Sequence, residues 1–444
     1  MKDFIISVFN IPPNNIESLH SIKEGNALNF YITLKKKYIE CPKCGASSIF
    51  YGSRKRIIKH PVLSNLDGHI FWLAQRYQCT QCNSIFTEPN PFSFKGHSLS
   101  IATETAIMLD LKNSNLTYKD IAARNHVSSS TVQTLFDSWV NVSRLHLSES
   151  IGIDEIHSDM AKYGSSYLCI IVDNVKRSLL EILPSRAKHY LNNYFDKIPQ
   201  KEKDSVLYVT IDMWEPYLDV AKRNFKNAIV AIDPFHVIKH LTDAFKDVRL
   251  RCRRSTEDKD LQYLLTRFKY IFHHETNIDN KPKYNKRFKR KMNYRDMMTI
   301  LFDRFPDLKV AYELKEKYIL FNETTTREIV EERFPSILMD FANCNILEYE
   351  EFYNLLRNWY NEIINSFNIA NNKRINNSYI ESRNKQIERL LFNANGYTNF
   401  KRARNRILYC WNALIFVHTY FKPYTYKYLL LQHRKNSLDL SREF

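Results

Sequence analysis

Between residues 150 and 233 the hydrophobic positions fall into short continuous runs, separated by longer polar and amphipathic stretches. Runs of this length that are rich in Ile, Val and Leu predict buried β-strands. Four of the runs end at an aspartate, and a fifth spans residues 178–183. The aspartates are Asp154, Asp173, Asp212 and Asp233. Amphipathic spacing predicts helices at 186–195, 216–225 and 235–249.

These elements follow the order β-β-β-α-β-α-β-α, which is that of an RNase H-like domain. In that arrangement the first three strands form an antiparallel meander, and the fourth and fifth run parallel to the first. Asp212 should then share a sheet edge with Asp154, about 5 Å away, whereas Asp233 should lie about 10 Å from Asp154. Asp173 should lie at the opposite edge. We therefore expect Asp154 and Asp212 to be the catalytic pair, and Glu155 to face the other side of the sheet.

A catalytic site built on paired aspartates needs a third carboxylate, and we expect it from an amphipathic stretch at 378–391. In a helix, Glu381 would share one face with Asn384 and Lys385. Two metal ions in phosphoryl-transfer sites lie about 3.5–4 Å apart and prefer oxygen ligands, so carboxylates on neighbouring elements suit them.

Two Cys-x-x-Cys pairs near the amino terminus have the spacing of a zinc site, and 34 residues separate them. The intervening chain contains strand-like runs at 48–51 and 69–77, which would bring the pairs together. We expect four thiolates to complete a closed, structural zinc site. Its ligands are Cys41, Cys44, Cys79 and Cys82.

Helical periodicity returns at 101–113, 116–124 and 128–136, with Thr117 and Ser128 as expected N-caps. The small and branched apolar residues of the last two segments are typical of a helix-turn-helix. The third segment would be the recognition helix. Its expected DNA-contacting residues are Ser129, Ser130, Gln133 and Thr134.

The chain has 444 residues and a net charge of +17, which favours a polyanionic partner such as nucleic acid. Its 8 glycines are too widely spaced for the glycine-rich motifs of dinucleotide-binding folds or P-loop NTPases. Residues 245–295 carry +10 and 373–406 carry +7, whereas 296–372 carry −7. The expected phosphate contacts are Lys286, Arg287, Lys289, Arg290, Lys291, Arg383 and Lys385. The start of the chain is a poor signal peptide, and the sequence predicts a soluble, cytoplasmic protein.

The chain resembles the DDE transposases of bacterial insertion sequences, specifically those of the ISL-three type. The resemblance rests on the four cysteines, the helix-turn-helix, Gly152-Ile-Asp154, Asp233-Pro-Phe-His236, Ser378-Tyr-Ile-Glu381-Ser-Arg-Asn384 and Gly396-Tyr-Thr-Asn-Phe400. It implies an RNase H-like α/β catalytic domain that an all-helical insertion interrupts before the last helix, an α+β multidomain protein overall. The implied boundaries are a zinc-binding domain at 1–92, a helix-turn-helix domain at 93–147, the first part of the core at 148–244, the insertion at 245–370, and the final helices and tail at 371–444.

The resemblance further implies binding of terminal inverted repeats and target DNA, followed by DNA cleavage and strand transfer with two Mg²⁺ ions, for which Mn²⁺ can substitute. It also implies a homodimer on paired DNA ends and a bacterial, nucleoid-associated location. Asp233, His236 and Asn384 would be accessory residues, although Asp233 competes with Asp212 as the second catalytic aspartate. A nuclease without strand transfer and an inactive DNA-binding regulator remain alternatives.

Overall fold

The computed structural model describes residue 9 and residues 11–61, 66–370, 373–394 and 397–412. Gly396 and residues 413–444, which belong to the predicted final helices and tail at 371–444, lie outside the described residues. The chain divides into two compact units. Unit 1 comprises Met1–Ser143 with Gln386–Phe444, and unit 2 comprises Arg144–Lys385. Within the described ranges, every helix is too short or too polar to cross a membrane.

Unit 1 begins with a five-stranded sheet of order β1-β2-β4-β3, in which β5 pairs with β4. Strand β2 runs parallel to β4, and the other neighbours are antiparallel. The expected strands at 48–51 and 69–77 are confirmed as parts of a longer hairpin. The bounds are β1 Ile16–Glu24, β2 Ala27–Leu34, β3 Ser48–Lys59, β4 Asp67–Cys79 and β5 Ile85–Thr87.

Three helices follow: α1 Ile101–Asp110, α2 Tyr118–Arg124 and α3 Ser129–Trp139. Both expected N-caps are confirmed. The Thr117 hydroxyl accepts a hydrogen bond from the Asp120 amide at 3.1 Å, and the Ser128 hydroxyl accepts one from the Thr131 amide at 3.1 Å. These caps satisfy amides that the first turn of a helix leaves unpaired, which fixes where α2 and α3 begin.

Unit 2 contains a second five-stranded sheet of order β10-β9-β6-β7-β8. Strands β6, β7 and β8 are antiparallel in sequence, while β9 runs parallel to β6 and β10 parallel to β9. These strand orientations are the ones expected from the sequence. The short helix α5 was not among the expected elements. The bounds are β6 Ser150–His157, β7 Tyr167–Asp173, β8 Ser178–Leu183, α4 Lys188–Phe195, α5 Gln200–Asp204, β9 Tyr208–Ile211, α6 Glu215–Asn224, β10 Ile229–Ile232 and α7 Pro234–Arg254.

The region 245–370 is mainly helical, but the expectation of an all-helical insertion is wrong at the basic run. A hairpin of β11 and β12 carries that run. The carbonyl oxygen of the Asn285 side chain accepts hydrogen bonds from the Arg287 and Phe288 amides, and Lys289 adopts a φ of 51°, which closes the turn. The bounds are α8 Lys259–Arg267, β11 Lys283–Asn285, β12 Arg290–Met292, α9 Tyr294–Arg304, α10 Pro306–Thr324, α11 Val330–Ala342, α12 Glu350–Asn358 and α13 Tyr360–Asn365.

One hydrophobic cluster joins the second sheet to these helices, since Ile211 and Val230 belong to the same buried cluster as Leu264 and Phe334. The last described elements are β13 Ile369–Ala370, β14 Lys373–Arg374, α14 Ser378–Asn393 and α15 Phe400–Trp411.

Candidate active site and metal centres

An acidic cluster lies at one edge of the second sheet. Strands β6 and β9 pair with Gly152 opposite Thr210. Two residues later come Asp154, which lies inside β6 rather than at its end as expected, and Asp212, which directly follows β9. Oxygen atoms of Asp154, Glu155 and Asp212 lie within 4.8 Å of one another. The expected proximity of Asp154 and Asp212 is therefore present.

The expectation that Glu155 faces away from this cluster is wrong. The ladder between β6 and β9 ends at Gly152, so β9 does not constrain Glu155. An ion pair with Arg186 holds the Glu155 carboxylate, and the Arg186 guanidinium lies 4.0 Å from the Tyr167 ring centroid and 4.3 Å from that of Trp214. Arg186 is thus a fixed cation beside the acidic cluster.

Burial sets the electrostatics of this cluster. It raises the pKa of Asp154 to about 7. It also raises the pKa of Asp212 to about 8, with further contributions from the charges of Glu155 and Asp154. Oδ1 of Asp212 and Oε2 of Glu155 are buried without a hydrogen-bond partner among the described residues. Unpaired carboxylate oxygens in a buried site suit a hard divalent cation, because its charge would offset their repulsion.

A second cluster lies at the start of α7. Ligand atoms of Asp233, His236 and Glu381 lie within 4.8 Å of one another, and Nε2 of His236 is 3.9 Å from Oε1 of Glu381. Asp233 caps α7 by accepting a hydrogen bond from the Phe235 amide at 3.4 Å. Its Oδ2 is buried without a partner in the described chain. The structure therefore groups Glu381 with Asp233 and His236 rather than directly with Asp154 and Asp212.

Helix α14 connects the two clusters. Nδ2 of Asn384 donates a hydrogen bond to Oδ2 of Asp154 at 2.8 Å, one turn after Glu381. The same helix face thus supplies one side chain to each cluster, as the helical spacing of these residues predicts.

The start of α14 is anchored at the sheet by Asn377, a residue that the sequence-based prediction did not include. Its backbone oxygen accepts a hydrogen bond from the Glu381 amide at 3.3 Å, and its Nδ2 donates to the Thr210 backbone oxygen at 3.4 Å. A Cβ atom on Gly152 would lie only 2.4 Å from Oδ1 of Asn377. Gly152 is therefore the residue that lets α14 approach the sheet. In the sequence, the position of Gly152 two residues before Asp154 was the only local indication of its contact with Asn377.

The four cysteines form a compact sulfur cluster at the end of the β3–β4 hairpin. Sγ of Cys44 lies 3.5 Å from Sγ of Cys79 and of Cys82, and Sγ of Cys41 lies 3.6 Å from Sγ of Cys82. A tetrahedral zinc with Zn–S bonds of about 2.3 Å places its sulfurs about 3.8 Å apart. The residues fit a zinc ion of this kind.

The expected recognition residues lie on α3. Ser130 and Thr134 are exposed, whereas Ser129 and Gln133 are half-buried. Lys286, Arg287, Lys289, Arg290 and Lys291 are exposed on the β11–β12 hairpin, and Arg287 forms an ion pair with Asp260. On α14, Lys385 is exposed and Arg383 is half-buried, with its guanidinium 4.9 Å from the Tyr379 ring centroid.

The chain matches the model of one protein family and is similar to curated proteins that carry a related name. The family model for transposases of the ISL3 (ISL-three) type, described as "Transposase", matches residues 151–407. Two curated proteins are each named "Transposase for insertion sequence element IS1557", from Mycobacterium tuberculosis strains CDC 1551 / Oshkosh and ATCC 25618 / H37Rv. Each is 30% identical over 115 residues, which cover 26% of this chain and 25% of the relative. The match thus spans about a quarter of those relatives.

Proposed function

The chain belongs to the DDE transposases of the ISL3 type, and on that premise we propose that it binds the terminal inverted repeats of an insertion sequence and catalyses Mg²⁺-dependent DNA cleavage and strand transfer. The observation that carries this proposal is the pairing of Asp154 with Asp212 at one edge of the second sheet, with α14 beside them. That sheet has the strand order of the RNase H-like fold that we assign to the catalytic core.

We assign two Mg²⁺ ions, or Mn²⁺ in their place, to Asp154 and Asp212 together with Glu381, whose carboxylate would reach the ions from the neighbouring cluster on α14. When bound, the ions supply activation of water or of a DNA 3′-hydroxyl and stabilisation of the leaving oxygen. Asn384 orients Asp154 by donating to its Oδ2, and Arg186 holds Glu155 beside the pair.

Asp212 is the better second catalytic aspartate. Its carboxylate belongs to the cluster that contains Asp154, whereas that of Asp233 does not. Asp233 already caps α7 and lies against Glu381, which supports a positioning role for Asp233 and His236.

The remaining modules supply DNA contacts in this proposal. Helix α3 reads a major groove through Ser129, Ser130, Gln133 and Thr134, because a recognition helix contacts base edges through residues of its amino-terminal turns. The zinc module stabilises the amino-terminal sheet. The basic residues of the β11–β12 hairpin, together with Arg383 and Lys385, contact phosphates. Because two DNA ends are processed together, we also propose a homodimer, acting in the bacterial cytoplasm at the nucleoid.

A cleavage assay on a duplex carrying the terminal repeat tests the catalytic assignment. Variants Asp154→Asn, Asp212→Asn and Glu381→Gln should lose cleavage by at least roughly 1,000-fold, because each removes a metal-binding charge. Asp219→Asn is the matched control, since Asp219 is an exposed residue of α6 whose side chain is 55% exposed. Full cleavage by Asp212→Asn together with loss in Asp233→Asn would transfer the catalytic role to Asp233.

The same assay separates the alternatives. Cleaved ends that are never joined to a target duplex identify a nuclease without strand transfer. Specific binding of the repeat without any Mg²⁺-dependent cleavage identifies an inactive DNA-binding regulator.

A further inference from the structure

Helix α15 packs against the helix-turn-helix helices, although nearly 300 residues separate them in sequence. The side chain of Arg406 is 1% exposed and donates hydrogen bonds to the backbone oxygens of Leu111, Asn113 and Leu116. Tyr409 donates its hydroxyl hydrogen to the Met108 backbone oxygen at 3.0 Å. These carbonyls belong to α1 and to the segment between α1 and α2.

Asn405 contacts the segment that follows α3. Its Nδ2 donates to the Val140 backbone oxygen at 3.0 Å, directly after α3. Since buried carbonyls are costly without a donor, α15 is a structural part of the helix-turn-helix module.

One residue of α15 acts on the recognition helix itself. Nη2 of Arg402 lies 2.6 Å from Oδ2 of Asp137, and its Nε lies 3.0 Å from Oδ1, which makes a bidentate ion pair. Nη1 of Arg402 also donates to Oε1 of Gln133 at 3.4 Å. Gln133 and Asp137 are one turn apart on α3, on the side that carries the expected DNA contacts.

We propose that Arg402 is a positioning residue for sequence recognition by α3, an inference that rests on the proposed DNA binding. Its charge offsets that of Asp137, whose side chain is 44% exposed and would otherwise repel DNA phosphates. It also occupies the Gln133 carbonyl oxygen, which leaves the Nε2 amide group of Gln133 as the end available to donate to DNA. A donor of this kind suits base-edge acceptors in the major groove, such as N7 and O6 of guanine.

Binding of the full chain to DNA tests this role. The probe is a fluorescein-labelled duplex with the inverted repeat that bounds the element encoding this chain, and a scrambled duplex of equal length is the reference. Arg402→Ala should weaken binding of the repeat roughly tenfold while affecting the scrambled duplex much less. The loss should be concentrated at one base pair when each position of the repeat is changed in turn.

Two further variants distinguish positioning from folding and from general charge. Asp137→Asn in the Arg402→Ala background should restore the part of the affinity that the uncompensated Asp137 charge costs, whereas the loss at the one base pair should remain; a misfolded module would recover neither. Lys401→Ala, which removes one exposed positive charge from the same helix, should weaken both duplexes to a similar and small extent. Unchanged binding by Arg402→Ala, or a double variant as weak as the single one, overturns the inference. A wild-type chain that does not prefer the repeat rejects the proposed function itself, and the inference with it.

Discussion

Substitution of Gly152 by alanine provides a sharp test of how the site is assembled. The backbone of Gly152 lies outside the left-handed region, so alanine adds a methyl group without backbone strain. The new Cβ would lie 2.4 Å from Oδ1 of Asn377 and 3.0 Å from Cγ2 of Val172. Ordinary van der Waals contact begins at 3.4 Å, so the Asn377 oxygen must retreat by about 1 Å.

The magnitude follows from that displacement. Overpacking of this kind lowers the free energy of unfolding by about 1–3 kcal/mol. In a unit of this size that corresponds to a fall in Tm of roughly 2–12 °C. Because the Asn377 side chain also anchors α14 to the Thr210 backbone oxygen, its retreat should loosen that anchor and shift Glu381 and Asn384, and a misplacement of about 1 Å costs about 100-fold in rate.

The assay compares Mg²⁺-dependent cleavage and thermal unfolding of Gly152→Ala with those of Gly164→Ala. Gly164 has a φ of 75°, and a Cβ atom added there would meet no other atom within 4 Å. Alanine at this position therefore strains the backbone without touching the site. Gly152→Ala should lose far more activity than Gly164→Ala at a similar loss of stability. Equal activities in the two variants would refute the role of Gly152 in seating α14.

Further predictions concern charge and metal. Burial holds the folded-state pKa of Asp212 at about 8, above an unfolded value of about 4. The protonated Asp212 therefore favours the folded state at low pH, and this contribution to the free energy of unfolding is lost as the pH rises through about 8. The Tm of the metal-free protein should therefore fall between about pH 5 and about pH 8.5, and Asp212→Asn should reduce that fall; an unchanged pH profile contradicts the assignment. Cys82→Ser should abolish stoichiometric zinc, measured by elemental analysis, and should destabilise unit 1; retention of one zinc per chain rules out the four-cysteine site. Arg406→Met should cost about 3 kcal/mol in the free energy of unfolding measured by denaturant titration, because it leaves three carbonyls without their donor, whereas Lys401→Ala should cost less than about 0.5 kcal/mol.

Much of the second sheet could be predicted because its signals are local. Each strand is a short apolar run, and the element order makes the strands of Asp154 and Asp212 parallel neighbours, although β6 continues past Asp154 to His157. The N-caps at Thr117 and Ser128 were equally accessible, since a cap depends on residues three positions apart.

The residues that complete the site depend on distant contacts and were less accessible. Asn377 meets Gly152 and Thr210 only after folding, and no periodicity marks Arg186 as the partner of Glu155. The hairpin at the basic run was missed because its charged residues carry no alternating apolar pattern, and its turn is fixed by the side chain of Asn285.

The packing of α15 has a consequence for biosynthesis. During synthesis α1, α2 and α3 leave the ribosome long before Arg406 does. The backbone oxygens of Leu111, Asn113 and Leu116 therefore lack their Arg406 donor until residues 400–411 have emerged. A nascent chain or a prematurely terminated fragment that stops short of α15 therefore leaves these three carbonyls without the Arg406 donor. The three helices therefore reach their final hydrogen bonding only after α15 has been translated, so products that end before residue 400 should fold them incompletely.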